Sequence, residues 1–584
     1  MNIIGISAYY HDAACALLQD GNLIFAAEEE RFTRVKHDKR IPIHAFQSCL
    51  KSGGISIAEL DCIAYYENPT MKISRQLWSM LQDRSRADLS TCIGFDKTQV
   101  ERDIRTLLGF EGEIRYYSHH LSHAASSYYF SGFEDAAILI ADGVGEWATT
   151  SYGYGFGNHI DLFEQVNFPH SIGLLYSTIT GYLGFKVNDG EYKVMGLAPY
   201  GEPKYLKELR ELITLHADGQ FVLNLKYFDF IQGDKMFSPL LCDLLKHPAR
   251  VPESDLTQFV KDVAKSLQVL LEEILLTKLT YLHGQRPSEN LCMAGGVALN
   301  CVANGAILQQ GPFKNLFIQP AAGDSGNALG AAALAHHDLT EGQSKLAKLE
   351  HVYLGPEYED QEIGDLLRDT ECEYQSFHNE AYMINYVAQQ LNDGKVIGWF
   401  QGRMEFGPRS LGSRSILADP RGLHMREHIN ALIKMREGFR PFAPAVLYSE
   451  MNKHFSLDHE SPYMLETCQV ISSLDLPAIT HVDGSARVQT VSEQSNIRFF
   501  KLLTEFNKMT GCPILLNTSF NIRSEPIVNN PIDAMLCFIR SNLDILVLGT
   551  MVIHRKNLPQ KWIEWFAKTS VKKSLISHDV YSFI

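Results

Sequence analysis

The sequence lacks three features that would place it in a common class: a CxxC pair, an apolar run long enough to cross a bilayer, and a repeated or low-complexity segment. Its eleven cysteines are scattered, which argues against a zinc ribbon or a disulfide framework and favours reduced thiols in a core. A membrane span needs about 18 consecutive apolar residues. A secretory signal needs an apolar N-terminal stretch, which His11 and Asp12 interrupt. We therefore expect a soluble, cytoplasmic protein without membrane contact.

Positive charge is also scarce. The chain has 53 Lys and Arg residues against 68 Asp and Glu residues, which gives a formal net charge of −15. An acidic chain is a poor candidate for nucleic-acid binding, and only a local basic pocket is compatible with this composition. At 584 residues, of which 45% are hydrophobic, the chain is long enough for roughly two to four globular domains.

A pair of histidines lies in the segment around which the rest of the chain is organised, residues 118–145. Ser118 is a candidate N-cap, and Gly132 is a candidate helix end. Between them, His119 and His123 are four residues apart, so a helix would carry both imidazoles on one face, where they could share a metal ion. Two partly buried, hydrogen-bonded histidines are the alternative interpretation.

The apolar run 136–141 follows this helix and predicts a buried strand. It ends at Asp142, and the carboxyl end of a strand is where ligands bind in open α/β sheets. A carboxylate in that position, close in sequence to the two histidines, suggests a metal site, and hydrogen-bonded histidines stay the alternative.

Three short apolar runs, 3–7, 13–18 and 23–27, open the chain and predict a β-meander. The turn after the first strand contains His11 and Asp12. We expect these two side chains either to face a ligand or to form an ordinary polar turn.

Charged residues dominate the next stretch, 28–42, where nine of the fifteen residues are formally charged. Such a run predicts a solvated face. The alternative is that Arg31, Arg34, Lys36 and His37, which are interleaved with apolar residues, bind an anionic ligand.

Glycines and prolines predict irregular backbone over residues 188–205, and this loop contains Lys193. A glycine-rich loop with one lysine suits a phosphate or another substrate group. The helix predicted later, at 255–283, has apolar residues at every third or fourth position and is expected to be structural.

Two further glycine-rich turns follow predicted strands. Gly295 and Gly296 come after the strand 290–294 and before a helix, with Asn300 close by, and this arrangement lets a nucleotide approach the backbone. Asp324 lies in the second turn, which opens an alanine-rich helix.

Basic residues concentrate in the last third of the chain, in contrast to its overall acidity. Within about forty residues, set among glycines and prolines, the sequence carries Arg403, Arg409, Arg414, Lys434, Arg436 and Arg440. The planar guanidinium group suits bidentate contacts to phosphate or carboxylate oxygens. A solvated basic patch, which is the alternative, would not need the apolar FRPFAPAV segment around it. We therefore expect an anion-binding pocket.

Two later motifs add polar groups. HVDGSARVQTV predicts a strand that carries Arg487, and the apolar strand CPILLNTSFN ends with Asn517 and Ser519. Small polar groups at a strand end suit a nucleotide or a carbonyl group, and a turn cap is the alternative.

The motifs HHLSHA, EEERFTRVKH, GEYKVMGLAPYG and GGVALN together resemble those of the NodU/CmcH carbamoyltransferase family. His119, His123 and Asp324 match the metal motif of the related tRNA threonylcarbamoyl transferases, which belong to the superfamily of actin, sugar kinases and heat-shock chaperones (ASKHA). GPRSLGSRS, IKMREGFRPFAP, ARVQTV and NTSFN are similar to motifs of YrdC-like domains. SFNIRSEPIV departs from the glycine-rich spacing expected after NTSFN.

The resemblance implies an α/β fold in two parts. Residues 1–345 are expected to form a duplicated ASKHA-type domain that holds the metal site. Residues 346–375 would be a linker, and residues 376–584 a YrdC-like α/β domain with a C-terminal tail.

The resemblance also implies an ATP-dependent O-carbamoyltransferase. The YrdC-like domain would convert carbamoyl phosphate and ATP, with Mg²⁺, to carbamoyl adenylate and pyrophosphate. The N-terminal domain would then carbamoylate a hydroxyl group of a small natural product, as in antibiotic biosynthesis, and no nucleic acid would take part. An aromatic peptide antibiotic of the albicidin type is one candidate acceptor, and the motifs leave both the acceptor and the oligomeric state open.

Individual residues take roles from the same resemblance. The metal, Fe(II) or another divalent ion, would be held by His119, His123, Asp142 and Asp324. His11 and Asp12 would orient or deprotonate the acceptor hydroxyl. Lys434 and Arg440 would be catalytic in the YrdC-like pocket. Contacts to the nucleotide or to carbamoyl phosphate are expected from Lys193, Gly295, Gly296, Asn300, Arg409, Arg414, Lys434, Arg436, Arg440, Arg487, Asn517 and Ser519.

Three other functions are compatible with parts of the sequence. A fused tRNA threonylcarbamoylation enzyme would need a basic RNA-binding surface, which the net charge of −15 disfavours. A sugar kinase would leave the HxxxH helix and the arginine-rich third without a purpose. A non-catalytic nucleotide- and metal-binding regulator would bind ligands without turnover.

Overall fold

The computed structural model describes residues 1–82, 96–231, 235–370, 372–431, 438–439 and 442–568, with side chains as far as residue 564. The chain divides into two compact units. Of the described residues, the first unit comprises Met1–Glu29 and Asp38–Leu349, and the second comprises Glu30–His37 and residues 350–568. The domain limits inferred from the sequence stay predictions.

Two five-stranded sheets with the same topology form the first unit. The first sheet contains β1 (Asn2–Ser7), β2 (Ala14–Gln19), β3 (Asn22–Glu28), β4 (Cys62–Tyr65) and β5 (Glu113–Tyr116), in the order β3-β2-β1-β4-β5. The second contains β6 (Asp135–Ala141), β7 (Ala148–Phe156), β8 (His159–Asn167), β11 (Asn290–Ala294) and β12 (Asn315–Ile318), in the order β8-β7-β6-β11-β12, while β9 (Ile213–Leu215) and β10 (Phe221–Leu223) form a separate hairpin. Each sheet joins an antiparallel three-stranded meander to two parallel strands. This repetition confirms the predicted duplicated α/β architecture.

A mixed sheet of eight strands forms the second unit. Its strands run in the order β13-β22-β21-β14-β15-β20-β16-β19, and β17 pairs separately with β18. Their bounds are β13 (Gln375–Ser376), β14 (Ile397–Phe400), β15 (Arg414–Ala418), β16 (Ala443–Leu447), β17 (Cys468–Gln469), β18 (Ser485–Ala486), β19 (Gln489–Val491), β20 (Ile514–Ser519), β21 (Ile545–Leu548) and β22 (Met551–His554). Apolar side chains from these strands and from the helices that cover them form one buried core.

The helices fit the apolar periodicities of the sequence. Across the described ranges, every helix is too short or too polar to span a lipid bilayer. The α-helices are α1 (Glu30–Thr33), α2 (Ile43–Gly53), α3 (Pro69–Gln82), α4 (Gln99–Asp103), α5 (His119–Ser131), α6 (Ile172–Tyr182), α7 (Glu191–Leu197), α8 (Leu206–Arg210), α9 (Pro239–Leu245), α10 (Gln258–Gln285), α11 (Cys301–Gln310), α12 (Asn327–Leu339), α13 (Asp360–Asp369), α14 (Glu380–Asn392), α15 (Met425–Ile429), α16 (Met451–His454), α17 (Ile497–Thr510), α18 (Pro531–Arg540) and α19 (Gln560–Lys568).

Three expectations from the sequence are wrong. Residues 188–205 are not wholly irregular, because α7 occupies their centre. Arg487 does not lie on a strand but between β18 and β19. The charged stretch 28–42 is not a solvated face, since its first four residues are buried. One reason is that the Glu29 carboxylate accepts the backbone N–H groups of His44 and Ala45, 3.2 and 2.9 Å away, and so caps α2.

A buried lysine in α10 ties the long helix to the second sheet. The Nζ atom of Lys278 donates to the Tyr152 hydroxyl at 3.0 Å and to the Gly219 carbonyl at 2.9 Å. Its ammonium group lies 4.3 Å from the centre of the Phe221 ring. Burial lowers the pKa of Lys278 from 10.5 to about 7, and the carboxylates of Glu164 and Asp218 offset only part of this shift.

The stability of the protein should therefore rise with pH through this group. Between pH 7 and 10.5 the unfolded chain holds a proton that the folded chain has lost, so the free energy of unfolding increases across that window. Between pH 7 and 9 we expect the free energy of unfolding of wild type, measured by denaturant, to rise by about 2 kcal/mol relative to that of Lys278→Met. Lys265→Met, at a partly exposed position of the same helix, is the control and should keep the wild-type slope. Equal pH slopes for wild type and Lys278→Met would contradict the assignment.

Candidate metal centre and anion site

The histidine pair lies at the N-terminus of α5, as the sequence predicts. The helix ends at Gly132, whose φ of 80° is left-handed and suits glycine. Ser118 has the extended backbone of an N-cap, but its side chain makes no capping bond in the described structure. The Glu146 carboxylate takes that place, because it accepts the backbone N–H of His119 at 2.9 and 3.1 Å. It also accepts the N–H of Asn68 at 2.8 Å, so one acid joins the helix start to the loop after β4.

Four predicted ligands meet at one point: His119, His123, Asp142 and Asp324. One donor atom from each lies within 4.8 Å of all the others, and all four side chains are buried. The Nε2 atom of His119 is 3.1 Å from Asp142 Oδ2 and 3.5 Å from Asp324 Oδ1. The Nε2 atom of His123 is 3.5 and 3.7 Å from the same two oxygens.

These distances fit a shared cation. Metal–nitrogen and metal–oxygen bonds of about 2.1 Å place neighbouring donors roughly 3.0 to 3.4 Å apart. His123 Nε2 and Asp324 Oδ2 are buried and have no hydrogen-bond partner among the described residues. Buried polar atoms without a hydrogen-bond partner need a ligand to offset the cost of removing them from water. Two imidazoles and two carboxylates are a donor set for Fe(II), Mn²⁺ or Zn²⁺.

The electrostatics of the cluster favour positive charge at its centre. Burial lowers the pKa of His119, but Asp324 and Asp142 outweigh it and raise this pKa to about 9. Burial raises the pKa of Asp142, yet the two neighbouring histidines hold that pKa well below the usual value. The third histidine of the motif differs, because burial and the neighbouring imidazoles lower the pKa of His120, whose Nδ1 lies 2.7 Å from the Ser151 hydroxyl.

The glycine pair after β11 orients a ligand of the cluster. The N–H of Gly296 donates to Asp142 Oδ1 at 3.0 Å. Gly295 has a φ of 93°, and a Cβ atom there would lie 2.3 Å from the Ala141 carbonyl oxygen. Asn300 caps α11 through the N–H of Ala303 at 3.0 Å, so its side chain has a structural partner. The nucleotide contacts expected of these residues stay predictions.

The remaining predicted residues of the first unit lie on separate elements. His11 and Asp12 occupy the turn between β1 and β2, and His11 Nδ1 is 2.9 Å from Asp12 Oδ2. The ring of His11 also packs on Tyr10, with 4.7 Å between ring centres. Lys193 lies on α7. Its role as a phosphate contact stays a prediction.

In the second unit, several predicted anion contacts reach one edge of the large sheet. β15 begins at Arg414, which pairs with Phe400 at the end of β14. On the other side of β15, Ser415 pairs with Ser519 at the end of β20. Because β15 and β20 are antiparallel, the start of one lies beside the end of the other, and Arg414 and Ser519 therefore lie at the same edge.

The same edge continues across the next two strands. Asn517 of β20 pairs with Ala443, the first residue of β16, and β19 starts parallel to β16 two residues after Arg487. The Nδ2 atom of Asn517 donates to the Ser410 carbonyl at 3.2 Å, which places the loop containing Arg409 at this edge. Lys434, Arg436 and Arg440 lie outside the described residues.

A buried acid, Glu405, and a buried cation, Arg414, hold the loop 407–414 at this edge. Glu405 Oε1 accepts the backbone N–H groups of Leu411, Ser413 and Arg414 at 2.7, 2.7 and 3.2 Å. The Arg414 guanidinium is fully buried, stacks on Phe400 and donates to the carbonyl groups of Pro356, Gln401, Gly402, Ser413 and Asn529. Its observed partners are thus backbone oxygens, and its contact with a substrate phosphate stays a prediction.

Sequence reasoning misses two acids that organise these sites, Glu146 and Glu405. Glu146 stands in the motif DGVGE, four residues after the ligand Asp142, and caps a helix that begins 27 residues earlier. Glu405 receives three N–H groups of a loop that follows it. A carboxylate within a glycine-rich motif is a weak signal for such a role, because the partners of backbone N–H groups are set by tertiary structure.

Comparisons with known proteins agree with the resemblance seen in the motifs. The family described as carbamoyltransferase N-terminus matches residues 2–333, and carbamoyltransferase C-terminus matches residues 388–555. Nodulation protein NolNO of Sinorhizobium fredii is 38% identical over 95% of this chain and 81% of its own. The 3'-hydroxymethylcephem-O-carbamoyltransferase of Amycolatopsis lactamdurans is 29% identical over 92% of this chain and 97% of its own. The chain therefore belongs to the carbamoyltransferase family, and it is a transferase.

Proposed function

We propose that this enzyme carries the carbamoyl group of carbamoyl phosphate to a hydroxyl group of a natural product, with ATP as co-substrate and carbamoyl adenylate as intermediate. The main support is that the chain contains two different sets of polar residues, one in each unit. The first unit holds the buried cluster of two histidines and two aspartates. The second unit brings arginine, asparagine and serine side chains to one sheet edge.

The second unit suits the formation of the adenylate. Water would release phosphate from carbamoyl phosphate and leave carbamate, and a carbamate oxygen would attack the α-phosphorus of ATP and displace pyrophosphate with its Mg²⁺. Both substrates are highly charged, so cations must offset the phosphate oxygens and hold the reacting groups in line. Arg409 and Arg487, with Lys434, Arg436 and Arg440, are the residues we assign to this task.

The first unit suits the transfer step. The acceptor hydroxyl would attack the carbamoyl carbon, the bond to the phosphate oxygen would break, and AMP would leave. His11, whose imidazole pairs with Asp12, would take the hydroxyl proton. A divalent metal held by the His119 cluster, which we propose to be Fe(II) or a similar ion, would supply Lewis-acid stabilisation of the phosphate charge.

The adenylate step can be tested without knowing the acceptor. With ATP, Mg²⁺ and carbamoyl phosphate, we expect the purified enzyme to release pyrophosphate, and to release none when carbamoyl phosphate is omitted. Arg440→Ala should abolish this release, whereas His119→Ala should retain it because the cluster serves the transfer step. Arg368→Ala, at an exposed position of α13, is the matched control.

Two results would contradict the proposal. One is pyrophosphate release at the same rate without carbamoyl phosphate, which would indicate a different co-substrate. The other is no turnover of ATP with any divalent metal, which would remove the adenylate from the reaction.

A further inference from the structure

A short segment near the N-terminus belongs to the second unit. The chain enters that unit at Glu30 and leaves it after His37, and α1 forms the first half of this passage. Glu30 and Arg31 are 8% and 4% exposed, although both carry charge. Buried charged side chains require partners. The partners of this segment lie in the loops around the predicted anion pocket.

Arg31 is bonded to the loop that carries Arg409. Its Nη2 atom donates to the Gly407 carbonyl at 2.8 Å, and its Nη1 atom donates to Glu30 Oε1 at 2.5 Å. The other oxygen of Glu30 accepts the backbone N–H of His37 at 2.8 Å, which closes the segment on itself. Gly407 has a φ of 116°, a left-handed conformation, so the loop turns at the residue that Arg31 holds.

Arg34 is bonded to a second loop at the same edge of the sheet. Its Nη1 and Nη2 atoms donate to the carbonyl groups of Ile527 and Pro526 at 2.6 and 2.7 Å. Its Nη1 atom is also 3.6 Å from Asp533 Oδ2. These carbonyls stand in SFNIRSEPIV, the segment whose sequence departs from the glycine-rich spacing of the motif.

The loop held by Arg34 packs directly on the predicted anion contacts. The N–H of Val528 donates to the Phe520 carbonyl at 3.0 Å, next to the end of β20 at Ser519. The Asn529 carbonyl accepts from Arg414 Nε at 3.3 Å. The residues 30–37 are therefore bonded through two guanidinium groups to the two loops, 407–414 and 526–529, that flank one sheet edge.

We propose that Arg31 and Arg34 are positioning residues of the donor-activating site, which they hold in the form that binds phosphate groups. Guanidinium forks bonded to the carbonyl oxygens of these two loops restrict the movement of the loops when the pocket is empty. A pocket formed in advance binds its ligand without an ordering cost. This inference rests on the proposed function for the identity of the substrate, and on the observed bonds for the role of the two arginines.

The test replaces each arginine by a shorter neutral polar side chain, in Arg31→Gln and Arg34→Gln of the full-length enzyme. Calorimetry with pyrophosphate as the probe should show binding at least roughly tenfold weaker in each variant. In the pyrophosphate-release assay, the KM for carbamoyl phosphate should rise by a similar factor, with kcat changed less than about threefold. Arg31→Lys and Arg34→Lys, which keep the charge but lose the planar fork, should recover only part of the loss.

Two controls separate positioning from a general structural effect. Arg40→Gln, at an exposed arginine outside the segment, should bind pyrophosphate as wild type does. Midpoints of thermal unfolding within about 2 °C of wild type would show that the second unit is still folded.

The outcomes distinguish this inference from the proposed function. Wild-type affinity for pyrophosphate in Arg31→Gln and Arg34→Gln, or a lack of pyrophosphate binding by wild type, would overturn the positioning role. Weaker binding that only follows a lower thermal midpoint, with no recovery in the lysine variants, would also overturn it. Absence of ATP turnover in wild type would refute the proposed function, and the pyrophosphate affinities would still decide the role of the arginines.

Discussion

Asp324→Asn is expected to weaken divalent-metal binding by roughly 100-fold or more and to lower carbamoyl transfer by about three orders of magnitude. Asp324 is 1% exposed, and its Oδ1 atom lies 3.5 and 3.7 Å from the two histidine Nε2 atoms. Its Oδ2 atom has no hydrogen-bond partner in the described part of the chain. An amide at this position keeps the shape but removes the charge that offsets the cation. The apo protein should fold normally, because the substitution relieves a buried charge rather than creating one.

Metal titration and thermal unfolding measure this effect independently of activity. Mn²⁺ should raise the unfolding midpoint of wild type by mass action and leave that of Asp324→Asn almost unchanged. Asp338→Asn, at the other end of α12, is the control, since its carboxylate accepts from the Tyr117 hydroxyl and not from the cluster. Pyrophosphate release should persist in both variants. Wild-type affinity for Mn²⁺ in Asp324→Asn would rule out the cluster as the metal site.

Individual strands of the two sheets were accessible to sequence reasoning because their signals are local, whereas their duplication was expected from the family resemblance. Apolar runs separated by a DG turn predict the meander β1–β3, and the run before Asp142 predicts β6. The histidine spacing and the helix end at Gly132 also depend on a few neighbouring residues. The juxtaposition of His119, His123 and Asp142 then follows from the rule that ligands gather at strand ends.

The incorrect expectation for the charged stretch 28–42 has a different cause. Charge density alone predicts a solvated stretch at 28–42, but Glu29 caps α2 and Arg31 bonds to the Gly407 carbonyl, which is 376 residues away. Glu146 caps α5 in the place of Ser118 for the same reason. Whether a charged side chain is buried depends on partners that are distant in sequence. A window of ten or twenty residues does not contain those partners and so does not predict the burial.

The close contact between α12 and α5 at Gly330 is also visible only in the tertiary structure. Gly330 lies in α12, where the sequence shows an alanine-rich helix, and small residues there are equally compatible with a solvated helix. A Cβ atom on Gly330 would be 1.8 Å from the Ser122 carbonyl oxygen and 3.0 Å from the Ser126 nitrogen. The backbones of α12 and α5 are therefore in direct contact. Since Ser122 precedes His123, and Asp324 lies just before α12, this contact sets the distance between two ligands of the cluster.

Gly330→Ala is accordingly expected to lower both stability and metal affinity, although alanine favours a helix. The gain in helix propensity is about 1 kcal/mol, whereas forcing a methyl group against a rigid backbone costs about 3 kcal/mol. The two helices must separate by about 1.5 Å to reach normal contact, so the donors move apart. We therefore expect Mn²⁺ to bind at least roughly tenfold more weakly. Gly284→Ala is the matched control, because Gly284 also lies in a helix but has open space around it. Gly284→Ala should equal or exceed the wild-type thermal midpoint and bind Mn²⁺ normally. If Gly330→Ala behaves in the same way, the contact between α5 and α12 does not set the geometry of the cluster.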